Sequence, residues 1–150
     1  MTSHHSDDNP TRPAPKPIVI THLDGLRFAA QVRSHRVIVD QPERGGGADS
    51  AASPIELLGA SLGTCVALYV HKFLVTRGLP TDSLRVEVVQ HGASNPNRIA
   101  QFEVKIMLSE EIPMVYRPML EAVARVCPAH NTLAHGAEVK VGIEFPSLVG

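Results

Sequence analysis

The sequence predicts an α+β fold with antiparallel sheets and one long, buried helix that carries a cysteine. Two observations lead to this fold class. Segments of alternating apolar and polar residues come in neighbouring pairs joined by short turns, and one long apolar segment separates the first group of strands from the second. The predicted order is β-β-β-α-β-β-α-β. Because the strands come as hairpins and the helices are few, a doubly wound parallel sheet is disfavoured.

Three strands before the long helix are predicted to form an antiparallel meander. The first begins at Ile18, the second covers Leu26–Val32 and the third covers Arg36–Asp40. Turn residues at 23–25 separate the first two strands. The following loop, Gln41–Ala52, holds three consecutive glycines, which lose too much backbone entropy to lie inside a helix or strand. It lacks both glycine-rich phosphate-binding motifs, so nucleotide binding is disfavoured.

The long helix has clear start and stop signals. Ser53 is a good N-cap residue, Pro54 suits the first helical position, and Glu56 completes an S-x-x-E capping box. Gly78 is a typical residue for the helix end. A helix of about 24 residues would be about 36 Å long.

The middle of this helix, Leu57–Val70, is apolar on nearly all sides. We therefore expect it to be buried on most sides, within the domain or against a partner subunit. A run of about 14 apolar residues is too short to cross a bilayer, so no membrane association is predicted.

The second half of the chain is predicted to contain a hairpin, a helix and a last strand. Leu84–His91 and Ile99–Leu108 are the hairpin strands. A helix is expected to start near Arg117, because Pro118 is tolerated only in a first turn, and to stop at Cys127-Pro128. A short helical turn is predicted at residues 131–135. Glu138–Phe145 alternates cleanly and is predicted to be the final strand.

Composition restricts the possible functions. The chain has 150 residues, 43% of them hydrophobic, which is enough for one domain with a core. A net charge of −1 and the lack of a basic stripe disfavour nucleic-acid binding.

Residues 1–17 are polar and proline-rich without a signal-peptide core, and are predicted to be a mobile tail on a single domain at 18–150. We expect a cytoplasmic protein.

The two cysteines are either inert buried thiols or a functional pair. Cys65 lies mid-way along the apolar helix, after a run of small residues at 59–64 that would let another backbone approach. Cys127 lies at a helix end before Pro128, where a thiol is reachable. These surroundings favour the functional pair, although 62 positions separate the two residues, so that only the fold can join them.

Three segments resemble the OsmC/Ohr family: VIVDQP before the glycine-rich loop, SPIELLGASLGTC, and later CPAHNTL. The resemblance covers roughly residues 22–146. It implies an intertwined homodimer with the cysteine helix at its centre. It also implies that Cys65 attacks an organic hydroperoxide and becomes a sulfenic acid, that Cys127 resolves it as a disulfide, and that an external thiol restores both.

No cofactor is implied. A metal site built from Cys65, Cys127 and His130 would have only three ligands, so metal binding is disfavoured. The alternative function is a non-enzymatic dimer that binds a small apolar ligand, with the cysteines as a redox sensor or as vestiges.

Two departures from the family's peroxidases stand out. Ile55 occupies the position of a glutamate in those enzymes. Glu56 is expected to face away from Cys65, because nine helical residues make about two and a half turns and so place it on the opposite side of the helix. The peroxidases also use an arginine to lower the thiol pKa. The candidates here are Arg27 and Arg36, with Arg44 as a further alternative, but each is also typical of a solvated surface charge.

Overall fold

The computed structural model describes residues 13–146, so most of the predicted tail, residues 1–12, lies outside the described residues. Residues 13–18 are exposed and without regular structure. The chain divides into two compact units, with the boundary after Pro54. The single domain at 18–150 stays a prediction.

The elements follow the predicted order up to the last strand. In chain order they are β1 (Val19–Asp24), β2 (Arg27–Val32), β3 (His35–Val39), α1 (Pro54–Thr76), β4 (Arg85–Ala93), β5 (Arg98–Met107), α2 (Arg117–Arg125) and α3 (Pro128–His135). Short 3-10 turns lie at Glu43–Gly45 and Met114–Tyr116. The mixed architecture and the antiparallel pairing confirm the predicted fold class.

The first unit is the predicted meander of β1, β2 and β3. Antiparallel pairing places Phe28 opposite Val39 and opposite His22, so β2 is the central strand. Gly25 and Arg33 both have left-handed backbone angles, φ 49° and 54°, which tight turns between strands require. A single strand in the middle with two short turns makes these pairings local, which explains why the alternation pattern predicted them.

The loop after β3 folds around the side chain of Asp40, which is only 1% exposed. Its carboxylate accepts hydrogen bonds from the backbone N–H of Ser50 at 3.0 Å and the Ser50 hydroxyl at 2.7 Å. The N–H groups of Gln41 and Ala48 donate at 2.7 and 3.3 Å. These donors, those of Ser50 above all, outweigh burial and lower the pKa of Asp40 from 3.8 to about 2. The glycine-rich loop is therefore ordered by one buried anion.

α1 begins and ends at the predicted signals. It starts at Pro54, directly after Ser53, and its last helical residue is Thr76. Gly78 adopts a left-handed φ of 64°, and its N–H donates to the carbonyl of Val75 at 3.0 Å. This closure satisfies a carbonyl that the last helical turn leaves without a partner, as a glycine at a helix end commonly does.

The expectation that α1 is buried on most sides, within the domain or against a partner subunit, is met in part by residues 13–146. The buried residues of α1 include Leu62, Val66 and Val70, whereas Leu68 and Val75 are 48% and 57% exposed. Burial of these exposed residues against a partner subunit stays a prediction. By length and hydropathy alone α1 would also qualify as a membrane span, a test that the core helix of a water-exposed domain passes equally.

The hairpin of β4 and β5 packs on α1 through two glycines. A Cβ atom at Gly59 would lie 2.9 Å from the Gln90 side chain, and one at Gly63 would lie 2.9 Å from a methyl group of Val88. The Gln90 amide also donates to the Ile55 carbonyl at 2.8 Å, which ties the first turn of α1 to β4. The small residues of α1 therefore make room for side chains of β4.

The two short helices each have a proline in the first turn. α2 begins at Arg117 with Pro118 in its first turn, as predicted. α3 is longer than the predicted turn at 131–135, because it starts directly after Cys127 with Pro128 in its first turn. A proline without an N–H and with a helical φ suits that position.

The predicted final strand, Glu138–Phe145, is not formed. Residues 136–146 have no regular structure, and the apolar side chains of the alternating pattern are 79% to 87% exposed, namely Val139, Val141, Ile143 and Phe145. Within residues 13–146, β4 and β5 pair only with each other. The correction has a physical reason: alternation gives a segment the right faces for a sheet, but a strand forms only where a partner strand supplies hydrogen bonds.

Candidate thiol site

The second unit brings the two cysteines together. Cys65, half-buried on α1, packs against the buried apolar cluster of this unit, and Cys127, with 0% of its surface exposed, is a member of that cluster. Cys65 is near enough to Cys127 to raise the pKa of its thiol. Both are free thiols. The fold thus joins two residues that the chain separates by 62 positions.

α1 positions Cys65 on its core-facing side. Cys65 lies one turn from the buried Leu62 and one turn from Tyr69, which packs on the same cluster. The small residues before Cys65 serve a different face, since Gly59 and Gly63 contact β4. These residues were expected to let another backbone approach; at Gly59 and Gly63 the atoms that approach belong to side chains of β4.

Cys127 is the N-cap of α3. Its backbone has extended angles, φ −67° and ψ 143°, and its Sγ accepts a hydrogen bond from the main-chain N–H of His130 at 3.3 Å. The carbonyl of Cys127 accepts from Asn131 at 3.0 Å, which is the first regular hydrogen bond of the helix. The sulfur therefore occupies the place that a serine or aspartate oxygen takes at most helix starts.

Burial raises the pKa of the Cys127 thiol above its usual value of 9.0, and the neighbouring Cys65 raises it further. The N–H groups of His130 and Ala129 act in the opposite direction, since they favour the thiolate. None of the surface of Cys127 is exposed, so the expectation that its thiol is reachable is wrong within the described residues. Cys65 is half-buried and retains contact with solvent.

Ile55, where the resemblance led us to expect a glutamate in a peroxidase, is 51% exposed. Glu56 is exposed and lies along a groove between α1 and β4, together with Gly59, Gly63 and Gln90. Cys65 does not line this groove, so Glu56 and Cys65 lie on different faces of α1, as the helical spacing indicated.

The candidate arginines all belong to the first unit, whereas both cysteines belong to the second. Arg27 pairs with Asp24 at 3.0 Å, and its Nε is buried without a hydrogen-bond partner among residues 13–146. Arg36 and Arg44 are exposed. The role of an arginine at Cys65 stays a prediction.

Sequence reasoning did not single out two residues that organise these elements. Gln90 tethers the start of α1, and its half-buried place in an alternating strand was a signal for an inward-facing amide. Asp40 orders the loop before α1, and an aspartate that follows an apolar strand and precedes a glycine-rich segment is a common sign of such a turn.

The fold and the site together define a class: an α+β protein with a long cysteine helix and a second thiol at a helix start. A protein-family model described as OsmC-like protein matches residues 46–142, which is more than half of the chain and includes both cysteines. The chain belongs to the OsmC-like family.

Solved structures of the family have the same fold. A protein from Psychrobacter arcticus, described in terms of osmotic stress induction and a detoxification response, is 21% identical with a TM-score of 0.73, covering 81% of this chain and 90% of that one. An OsmC-like protein from Mycoplasma pneumoniae is 20% identical with a TM-score of 0.56, covering 79% and 88%.

The organic hydroperoxide resistance protein OsmC from Legionella pneumophila is 16% identical with a TM-score of 0.53, covering 81% and 91%. At these identities the likeness shows the fold. No curated protein matched the chain.

Proposed function

We propose that this protein is a thiol-dependent peroxidase that reduces organic hydroperoxides through Cys65 and Cys127. The observation that carries the proposal is the pairing of a half-buried thiol with a fully buried one on the same apolar cluster. Membership of the OsmC-like family supports it, as does the name of the hydroperoxide resistance protein with the same fold.

In the first step the Cys65 thiolate attacks the peroxide R–O–O–H. The sulfur gains the hydroxyl, the O–O bond breaks, and RO⁻ leaves and takes a proton to become an alcohol. Cys65 is then a sulfenic acid. In the second step the Cys127 sulfur bonds to the Cys65 sulfur, the S–O bond breaks and water leaves, so that a disulfide remains. An external dithiol reduces this disulfide by two successive exchanges.

The apolar surroundings support an organic substrate. A cavity of about 810 Å³ in the second unit is lined by residues of β5 and α2 and by the segment between them. Ile112 and Leu120 line it and also belong to the buried cluster that includes Cys127. The lining also includes charged side chains, among them Lys105 and Glu121, and neither cysteine lines the cavity. The support for an alkyl substrate therefore comes from the apolar cluster on which both thiols pack.

The second candidate function is binding of a small apolar ligand without turnover. The same cavity favours it, and so does Ile55, which supplies no carboxylate at the position where the family's peroxidases have one. In that case the cysteines sense redox state or have no chemical role.

We further propose that the protein is a homodimer. The exposed apolar face of α1 and the exposed alternating segment Glu138–Phe145 support this assembly, because a single chain covers neither. A second copy would supply the partner strand that Glu138–Phe145 lacks.

The two free thiols fit the reducing conditions of the cytoplasm, where we propose that the protein works with a cellular thiol as reductant.

The test is peroxide consumption with cumene hydroperoxide and dithiothreitol, followed by mass spectrometry after a single peroxide pulse. The wild type should turn over and form the Cys65–Cys127 disulfide. Cys65→Ser should abolish consumption. Cys127→Ser should allow one oxidation and leave a trappable sulfenic acid on Cys65 that over-oxidises at high peroxide.

Two outcomes would contradict the proposal. A sulfenic acid on Cys127 in the Cys65→Ser variant would reverse the roles. If neither thiol of the wild type changes under the hydroperoxide, the peroxidase function is wrong and ligand binding becomes the better explanation.

A further inference from the structure

The first turn of α3 is built around the sulfur of Cys127. The main-chain N–H of His130 donates to Sγ at 3.3 Å, and the extended angles of Cys127 are those of an N-cap residue. Pro128 follows in the first turn. Serine, threonine, aspartate and asparagine are the usual side chains at this position, so a thiol is an uncommon cap.

This cap also fixes where the sulfur points. Cys127 is fully buried, whereas every residue of α3 keeps some exposure, so Cys127 is the buried anchor at the start of the helix. Cys65 packs against the same apolar cluster to which Cys127 belongs. The Cys127 sulfur therefore caps the start of α3 within the cluster on which both thiols pack.

A helix start favours an anion, because its first N–H groups have no carbonyl partners within the helix. The N–H of His130 lowers the pKa of Cys127, against the effects of burial and of Cys65. The Cys127 thiol must lose its proton before it forms a disulfide. The hydrogen bond from His130 favours that loss, whereas burial in the apolar cluster disfavours it.

We propose that the main-chain N–H of His130 is a positioning group for the second thiol: it holds the Cys127 sulfur next to Cys65, stabilises its thiolate, and is given up when the sulfur–sulfur bond forms. The inference rests on the proposed pairing of the two cysteines, but it requires no hydroperoxide. It makes α3 a helix whose N-terminal cap depends on the redox state of the pair.

Glutathione disulfide serves as the oxidant in the test. The Cys65 thiolate attacks one glutathione sulfur, which forms a mixed disulfide and releases one glutathione thiolate. The Cys127 thiolate then attacks the Cys65 sulfur, which forms the internal disulfide and releases the second glutathione. Two electrons pass from the protein pair to one glutathione disulfide, so the exchange balances.

The N–H can be removed without removing the cysteine. In His130→Pro the third helical position loses its N–H, which a proline in the first turn of a helix tolerates because no helical hydrogen bond uses it. His130→Ala is the matched control, because it also removes the imidazole but keeps the N–H.

We expect His130→Ala to close the internal disulfide within about twofold of the wild-type rate. His130→Pro should close it about three- to tenfold more slowly, which is the range for the loss of one hydrogen bond. Its equilibrium with glutathione should nevertheless move toward the disulfide by about three- to tenfold, because only the reduced form loses a stabilising contact. A purely structural defect would not slow the reaction while favouring its product.

Unchanged rate and equilibrium in His130→Pro would overturn the inference, and so would an alanine variant that matches the proline variant. If the proline variant does not fold, hydrogen exchange in the wild type decides. The His130 amide should be protected in the reduced protein and should exchange at least about threefold faster in the disulfide form, whereas equal protection would overturn the inference. Failure of peroxide turnover alone would contradict the proposed function and leave this result intact.

Discussion

Two segments rich in β-branched residues end in different states. β3, His35–Val39, pairs along its length with β2, which a short turn places next to it. Glu138–Phe145 alternates apolar and polar residues, yet its apolar side chains remain at least 79% exposed. The difference is not in propensity, because both segments are rich in valine and isoleucine. It lies in the partner: β3 has a neighbour three residues earlier in the chain, and Glu138–Phe145 has none within residues 13–146.

The loop after β3 offers a second comparison. It has almost no large apolar residues, but it is ordered because the Asp40 carboxylate accepts hydrogen bonds from the N–H groups of Gln41, Ala48 and Ser50. Local hydrogen bonds can therefore order a glycine-rich loop, whereas a strand needs contacts that its own neighbourhood does not contain.

The largest expected effect concerns the uncovered segment. If a second copy covers it, Val141→Lys with Ile143→Lys should weaken the dimer at least about a hundredfold, because each apolar side chain contributes about 1.5–3 kcal/mol when buried. Sedimentation equilibrium measures this. Lys140→Gln, on the opposite face of the segment, is the control and should leave the dimer within about threefold. A wild-type monomer, or a double variant that dimerises normally, would show that no second copy covers these residues.

A smaller effect is expected in the ordered loop. A Cβ atom at Gly47 would collide with the backbone carbonyl of Gln41, so Gly47→Ala should lower the free energy of unfolding by about 1–3 kcal/mol. At Gly45, in the same loop, the nearest atoms would be 3.6 Å away, and Gly45→Ala should stay within about 0.5 kcal/mol. Urea unfolding followed by circular dichroism compares the two. Equal stabilities would mean that the loop is not held as tightly as the structure indicates.

The smallest expected effect is the loss of stability when the Asp40 side chain no longer carries its charge. Its pKa is lowered to about 2 from 3.8, so its contribution to stability is present above about pH 4 and is lost as the pH falls through about 2. Asp40→Asn should therefore lower the urea midpoint at pH 7, and its difference from the wild type should shrink between pH 4 and pH 2. Asp49→Asn, exposed in the same loop, should match the wild type at each pH. A constant gap for Asp40→Asn down to pH 2 would exclude ionisation as the cause.

The sequence by itself determined the order and type of the elements up to α3, because each depends on residues close in the chain. Ser53, Pro54 and Gly78 mark the limits of α1, and Pro118 marks the start of α2. It also determined the two cysteine motifs, and hence the family, because the motifs are local patterns.

The tertiary structure decided how these parts meet. Only the folded chain shows that Cys127 is buried, that Cys65 packs on the same apolar cluster, and that the Cys127 sulfur caps α3. It also shows that the glycines of α1 accommodate side chains of β4, and that the last alternating segment has no partner strand among residues 13–146. The physical reason is common to all of these: burial, pKa and strand pairing depend on contacts between residues far apart in the sequence, which local patterns do not encode.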